Sequence, residues 1–335
     1  MVLRMKFLVT GCGSIGRRHI SNLLAIGNFD IITHDLNPDG RRKVKELFGL
    51  NAYENYEDAL AEGPDTVIVA TPTNEHTVPA LDAAKAGCHL FIEKPVSHNT
   101  EGLAEVLSTV KEKGLITLVG CNMRFHPGLK KVKELLDMNA VGKILSADIE
   151  SGSYMPEWRP GIDYKRVYSA RSEMGGGVIL DAIHEIDYAR WMLGDVAVVS
   201  CMADKRSSLA IDVEDTADML IRFSSGIIAR LHLDYVQRPY SRNCKFVGED
   251  GVITWDFNEG QVGLFSAQDK QWTWFKQPPD FELNQMYVDE MKHFVNCLKG
   301  IEKSTLDIFG GVEDLKIALA AKQSAKENRF ISLIQ

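Results

Sequence analysis

Hydrophobic and polar positions change rhythm along this chain near residue 122. Before it, short unbroken apolar runs at 6–10 (KFLVT), 30–34 (DIITH), 66–70 (TVIVA) and 116–120, and one ending at Lys94, alternate with amphipathic stretches at 17–25, 41–48, 56–61, 77–86 and 100–113. Unbroken apolar runs mark strands buried on both faces, and alternation with helices marks a parallel sheet. A short strand at 52–53 completes an order that predicts an α/β, doubly wound Rossmann domain over 1–122. After it the period becomes two. Strands are expected at 143–151, 196–202, 216–223, 227–234, 242–248, 251–257, 262–265 and 272–275, with turn signals such as Ser224-Ser225-Gly226 and Asn258-Glu259-Gly260 between them. Helices are expected at 128–137, 178–193, 282–298 and 312–328. This pattern predicts a C-terminal α+β domain over 123–335, built on a large, mostly antiparallel sheet. One sheet face lies open, and burying it in a homodimer or homotetramer is the economical solution.

Composition narrows the function. The chain has 335 residues, 45% hydrophobic and 25% charged, ordinary for a soluble globular protein of two domains. A net charge of −8 and the lack of a basic tract argue against nucleic acid as a partner. No apolar run approaches the roughly 20 residues that span a bilayer. The first residues, Met1 to Lys6, run into a strand without the apolar core of a signal peptide. Six scattered cysteines with no Cys-x-x-Cys pair read as reduced thiols, and the expected location is the cytoplasm.

The chemistry begins at Gly11-Cys12-Gly13-Ser14-Ile15-Gly16, a G-x-G-x-x-G pattern with a strand before it and a helix after. The glycines permit a tight turn, and the helix N-terminus presents N–H groups and partial positive charge to a pyrophosphate. Asp35 ends the second strand about 20 residues on, where an acid bonds the adenosine ribose. It favours NAD over NADP, Arg41 and Arg42 on the next helix pull toward NADP, and a turn-cap role for Asp35 stays open. The run Phe91-Ile92-Glu93-Lys94-Pro95 brings a lysine to a strand's carboxyl end, where ligands of such sheets bind. Sequence leaves the isomer of the Lys94–Pro95 bond open. On the helix expected at 178–193, Asp181, His184 and Asp187 recur at steps of three and share a face. A histidine with a carboxylate one turn away suits a general base and its orienter. No cysteine or second histidine joins them, so no metal is expected.

Taken together, Gly11-x-Gly13-x-x-Gly16, Ala70-Thr71-Pro72-x-x-x-His76, Glu93-Lys94-Pro95, Asn122-x-Arg124-Phe125 and Gly175-Gly176-Gly177 through His184, Asp187, Trp191 and Gly194 resemble the glucose–fructose oxidoreductase / inositol dehydrogenase / rhizopine catabolism (MocA) family. The resemblance implies NAD(P)-dependent oxidation or reduction of a sugar, sugar derivative or cyclic polyol. It implies that Thr71, Pro72, Asn74 and His76 lie along the dinucleotide and Glu93 and Lys94 at its nicotinamide–ribose end. Many family members carry the helix acid four residues before the histidine; here that position is Leu180 and the acid is Asp181. The expected mechanism has Lys94 bonding the reacting oxygen, His184 taking the hydroxyl proton and Asp181 orienting His184 or relaying the proton. Arg124, Tyr154, Trp158 and Arg159 are the remaining candidate substrate contacts, with Lys94, Asp181 and His184. Two alternatives keep the fold: redox-neutral, NAD-dependent glycoside hydrolysis, and a non-catalytic NAD(H)-binding regulator.

Overall fold

The computed structural model describes residues 4–334; Met1, Val2 and Leu3, part of the stretch read as lacking a signal peptide, lie outside them. The chain forms two compact units. One runs to Asn122 and takes in Leu283–Val312; the other comprises Met123–Glu282 and the chain from Glu313 on.

In the first unit β1 (Lys6–Thr10), α1 (Ser14–Ile26), β2 (Asp30–His34), α2 (Pro38–Phe48), β3 (Ala52–Tyr53), α3 (Tyr56–Ala61), β4 (Thr66–Val69), α4 (Thr77–Ala86), β5 (His89–Glu93), α5 (Leu103–Lys113) and β6 (Thr117–Gly120) alternate as the apolar runs predict. The six strands are parallel in the order β3-β2-β1-β4-β5-β6. The order reverses between β1 and β4, and such sheets bind ligands at the carboxyl ends of strands beside that switch. Local chemistry sets the helix starts: Pro38 opens α2 behind an Asn37 cap, and Asn55 caps α3 by accepting from Glu57 and Asp58 N–H groups. Phe7, Val9, Ile20, Leu23, Ile68 and Phe91 form the core together with Met291, Phe294 and Val295 of the helix Asn284–Leu298. That helix belongs to this unit although the expected division placed it after residue 122 with the second domain.

The second unit holds α6 (Pro127–Asp137), β7 (Ile144–Gly152), α7 (Val178–Asp181), α8 (Ile183–Leu193) and β8 to β14 (Val196–Asp204, Thr216–Phe223, Ile228–Asp234, Ser241–Gly248, Gly251–Asp256, Gln261–Ser266 and Gln271–Lys276). With β15 (Ile331–Ser332) they form a nine-stranded sheet in the order β14-β13-β12-β11-β7-β10-β9-β8-β15. Every pair is antiparallel except β7 with β10. Burial alternates along β9 and β10 as the period of two requires. On the other face Met202, Leu220, Ile228, Trp272 and Trp274 stay exposed.

One expectation is corrected. The single helix over 178–193 is two, broken at Ala182 (φ −89°, ψ 32°). Val178, Ile179, Leu180, Ile183 and Ile186 are all at most 2% exposed, so one straight helix would need apolar cover over more than half its circumference. The break lets α7 pack on β9 and β10 while α8 packs on β7.

Candidate functional site

The turn after β1 is shaped by what each glycine would meet if it carried a Cβ. At Gly11 (φ +89°) the added atom would lie 2.5 Å from the Ala70 carbonyl oxygen, and at Gly16 it would lie 1.8 Å from that of Gly11. These two close the turn on itself. A Cβ on Gly13 would meet nothing within 4 Å, so there the backbone is open to an approaching ligand. Gly13 is extended and α1 begins at Ser14, so the first N–H groups at Ser14, Ile15 and Gly16 are not bonded within the helix. Asp35 supports the turn: its carboxylate accepts from the Cys12 and Asn37 N–H groups, each at 2.7 Å. It therefore caps its own turn. Arg41 bonds the Asp35 and Leu36 carbonyls at 2.9 Å and Glu54 at 3.1 Å, and Arg42 pairs with Asp39 and Glu46.

The loops after β4 and β5 lie side by side because those strands pair. His76, 1% exposed, ties them together with ring nitrogens 2.9 Å from the Thr71 and Pro95 carbonyls. Burial lowers its pKa, opposed by those carbonyl bonds. A neutral ring donates to only one of these two carbonyls, so its tautomer selects which loop it bonds. Thr71 Oγ1 and Asn74 Oδ1 are buried without a hydrogen-bond partner among the described residues, which suits groups awaiting a ligand. Pro72 is half-buried beside them. Glu93 is 8% exposed and held 2.6 Å from Nε2 of the fully buried His19 on α1. Lys94 follows, half-buried, with a cis bond to Pro95. Tyr287, from the helix Asn284–Leu298, joins this end of the sheet: its ring stacks under Arg18 at 4.2 Å. Burial raises its phenol pKa, with Glu93 and Lys94 among the charges acting on it. Open backbone at Gly13, the helix N-terminus, a fixed acid at Asp35 and orphan polar atoms at Thr71 and Asn74 together fit a dinucleotide.

In the second unit His184 is 8% exposed on the first turn of α8, and Asp181 is the last residue of α7. The hydroxyl of Tyr168 donates to Asp181 Oδ1 at 2.5 Å. Asp187 is not available as a site acid. It is fully buried, and Arg124 holds it with Nε 3.0 Å from both oxygens and a terminal nitrogen 2.7 Å from Oδ1. Arg124, expected as a substrate contact, is itself 6% exposed. Its bidentate bond is to the fold, because a buried carboxylate needs such a partner. Glu185 pairs with Arg242 at 2.8 Å, and Arg190 with Asp314 at 2.6 Å. Burial, then the charge of Asp187, pushes the Asp314 pKa up to about 7. Tyr154 lies beneath Arg238 at 3.2 Å, Trp158 stands edge-on to Tyr235 at 5.0 Å, and Arg159 is exposed. Among the described residues no group of three or more His, Cys, Asp or Glu side chains is arranged to hold a metal.

The sequence reading missed His19, Tyr168 and Tyr287. Two of these partnerships join residues far apart in the chain, and Tyr168 lies in an irregular segment without periodicity.

This turn, its acid and the doubly wound sheet define a Rossmann dinucleotide-binding protein. The family model described as "Oxidoreductase family, NAD-binding Rossmann fold" matches residues 5–121, and that described as "GFO/IDH/MocA C-terminal domain" matches 129–254. The chain belongs to the Gfo/Idh/MocA family of NAD(P)-dependent oxidoreductases. It is 30% identical over 342 residues to myo-inositol 2-dehydrogenase of Thermotoga maritima, covering 98% of each chain. It is 24% identical to the scyllo-inositol 2-dehydrogenase (NAD(+)) of Bacillus subtilis, covering 98% of this chain and 96% of that one. The fold is shared with levoglucosan dehydrogenase in complex with NADH and levoglucosan (TM-score 0.89, 19% identity, 99% of this chain and 100% of that one).

Proposed function

We propose that the protein is a dehydrogenase acting on a secondary hydroxyl, or the corresponding ketone, of a sugar, sugar derivative or cyclic polyol. The observation that carries this reading is the place of Lys94, half-buried at the carboxyl end of β5, on the strand next to the one that leads into Thr71 and Asn74. Similarity over the whole chain to two inositol dehydrogenases supports the substrate class. NAD is the cofactor favoured over NADP, since Arg41 is taken up by Glu54 and two carbonyls and Asp35 stands where a 2′-phosphate would fall.

Bound NAD supplies the hydride acceptor. Gly13 and the first turn of α1 hold the pyrophosphate, and Asp35 the adenosine ribose. Glu93, fixed by His19, serves the nicotinamide end. The Lys94 ammonium donates to the oxygen of the reacting carbon and stabilises its developing negative charge. His184 takes the hydroxyl proton, and Asp181 holds the imidazole in orientation. Tyr154, Trp158 and Arg159 contribute to the substrate pocket.

Titration with NADH and NADPH, followed by NAD reduction on a panel of inositols, hexoses, anhydrosugars and nucleotide sugars, tests the reading. Tight NADH binding with turnover of at least one panel member is expected; NADH binding without turnover of any would refute it. No helix among the described residues is long and apolar enough to cross a membrane. Six buried thiols support a reducing, cytoplasmic setting. Met202 at 83% and Leu220 at 52% exposure support a homodimer or homotetramer closing over the open sheet face. Sedimentation equilibrium showing a monomer would contradict that assembly.

A further inference from the structure

We infer that Tyr168 is a positioning residue for Asp181 and, through it, for His184; the inference rests on the reading of His184 as the base and deepens it. The chain carries its acid at 181, not 180. Leu180 is 2% exposed in the core, whereas Asp181 is half-buried at the end of α7, just before the break at Ala182. A carboxylate at a helix break has lost the regular backbone that would fix it, and something else must.

Tyr168 is built to do so. Its hydroxyl reaches Asp181 Oδ1 at 2.5 Å, in the range of charge-assisted O–H···O⁻ bonds. The three-residue turn that carries it, Tyr168–Ala170, is clamped against the start of α7. Gly177 N–H donates to the Ser169 carbonyl at 3.2 Å, and the Gly176 N–H to that of Arg171 at 2.9 Å. A Cβ on Gly176 would lie 2.5 Å from the Tyr168 carbonyl oxygen and 2.7 Å from that of Ser169. The middle glycine of the triplet therefore exists so that the Tyr168 turn can lie directly on the helix start. Ser169 is 2% exposed and Ala170 fully buried, so the turn is an anchored part of the core. Behind it stands Tyr235, 1% exposed, whose phenol pKa is raised by burial and then by Asp181, Tyr168 and Glu214. Asp181, Tyr168, Tyr235 and Glu214, the last paired with Lys322 at 3.2 Å, are the titratable and charged groups gathered there. The phenol fixes one oxygen of the carboxylate; the effect of that carboxylate on the imidazole three residues on is what the double-mutant cycle measures.

The test is a double-mutant cycle read on the His184 imidazole by NMR titration. H184A identifies its resonance, and the resonance of the buried His126 reports intact packing. Y168F and D181A should each move the His184 midpoint by about 0.3–1 pH unit, and Y168F should add nothing in the D181A background. Should D181A fail to fold, D181N serves in its place. A midpoint unmoved by Y168F, or shifts from the two changes that add, overturns the proposal and leaves Tyr168 as an anchor of its own segment. No substrate is needed, so this failure is separate from that of the functional reading, which falls instead if H184A retains full turnover.

Discussion

Placing an alanine at Gly13 and at Gly16 asks the same question of two glycines in one motif and should return opposite answers. The Gly16 Cβ would sit 1.8 Å from a backbone oxygen, a contact that no side-chain rotation relieves. G16A must shift the turn against β4, and a loss of more than about 3 kcal/mol, comparable to severe overpacking, is expected. At Gly13 the new methyl meets nothing within 4 Å, and φ −64°, ψ −164° is allowed to alanine. The fold cost is that of an alanine at the position before a helix, about 1 kcal/mol at most. On the proposed reading the methyl occupies the space that a pyrophosphate would enter to reach the N–H groups at Ser14 and Ile15. Losing close approach for two or three charge-assisted bonds should weaken NADH binding by about 100-fold, or about 2.7 kcal/mol. Thermal unfolding and a fluorescence titration with NADH measure the two halves separately. G13A that binds NADH as the wild type does would refute the assignment of this turn to the dinucleotide. G16A with wild-type stability would refute the packing argument.

Acid should destabilise the protein through His126. It is 1% exposed, ringed by Trp255, Phe257 and Phe281, and burial followed by Arg242 lowers its pKa from 6.5 to about 4. The folded pKa lies below the unfolded one, so this stability is present above pH 6.5 and is lost as pH falls to about 4. It amounts to about 3 kcal/mol, and H126N, which keeps a cap for the Gly128 N–H, should flatten the pH dependence of the urea midpoint. R124M should cost about 3–5 kcal/mol because it strands the buried Asp187 carboxylate, and a stable R124M with a raised KM would restore Arg124 as a substrate contact. D35N should weaken the bonds to the Cys12 and Asn37 N–H groups and lower NADH affinity about tenfold; unchanged affinity in a direct titration would confine Asp35 to its turn-cap role.

What the sequence could show depended on whether a pattern named its partner. The first-unit strands were legible because each is an unbroken apolar run, and the glycine turn because strand and helix flank it. The helix Asn284–Leu298 was legible as a helix, but a buried stripe does not say against what it is buried. Only the folded chain places Met291 and Phe294 with Phe7 and Phe91. Apolar residues run through both halves of the stretch 178–193, so no change of phase betrayed the break at Ala182. Among polar residues the difficulty was distance along the chain. His19 meets Glu93 across 74 positions and Arg124 meets Asp187 across 63. No spacing rule reaches so far. Arg124 was thus read as a substrate contact because an arginine's partner cannot be seen from its neighbours.

Kinetics of K94A bears most directly on the central claim, that one lysine at the end of β5 stabilises the charge developing on the reacting oxygen. The account predicts NADH binding within a few-fold of wild type and turnover lower by about 10²–10³, a loss of about 3–4 kcal/mol in transition-state stabilisation. Turnover close to wild type, with NADH still tightly bound, would contradict it.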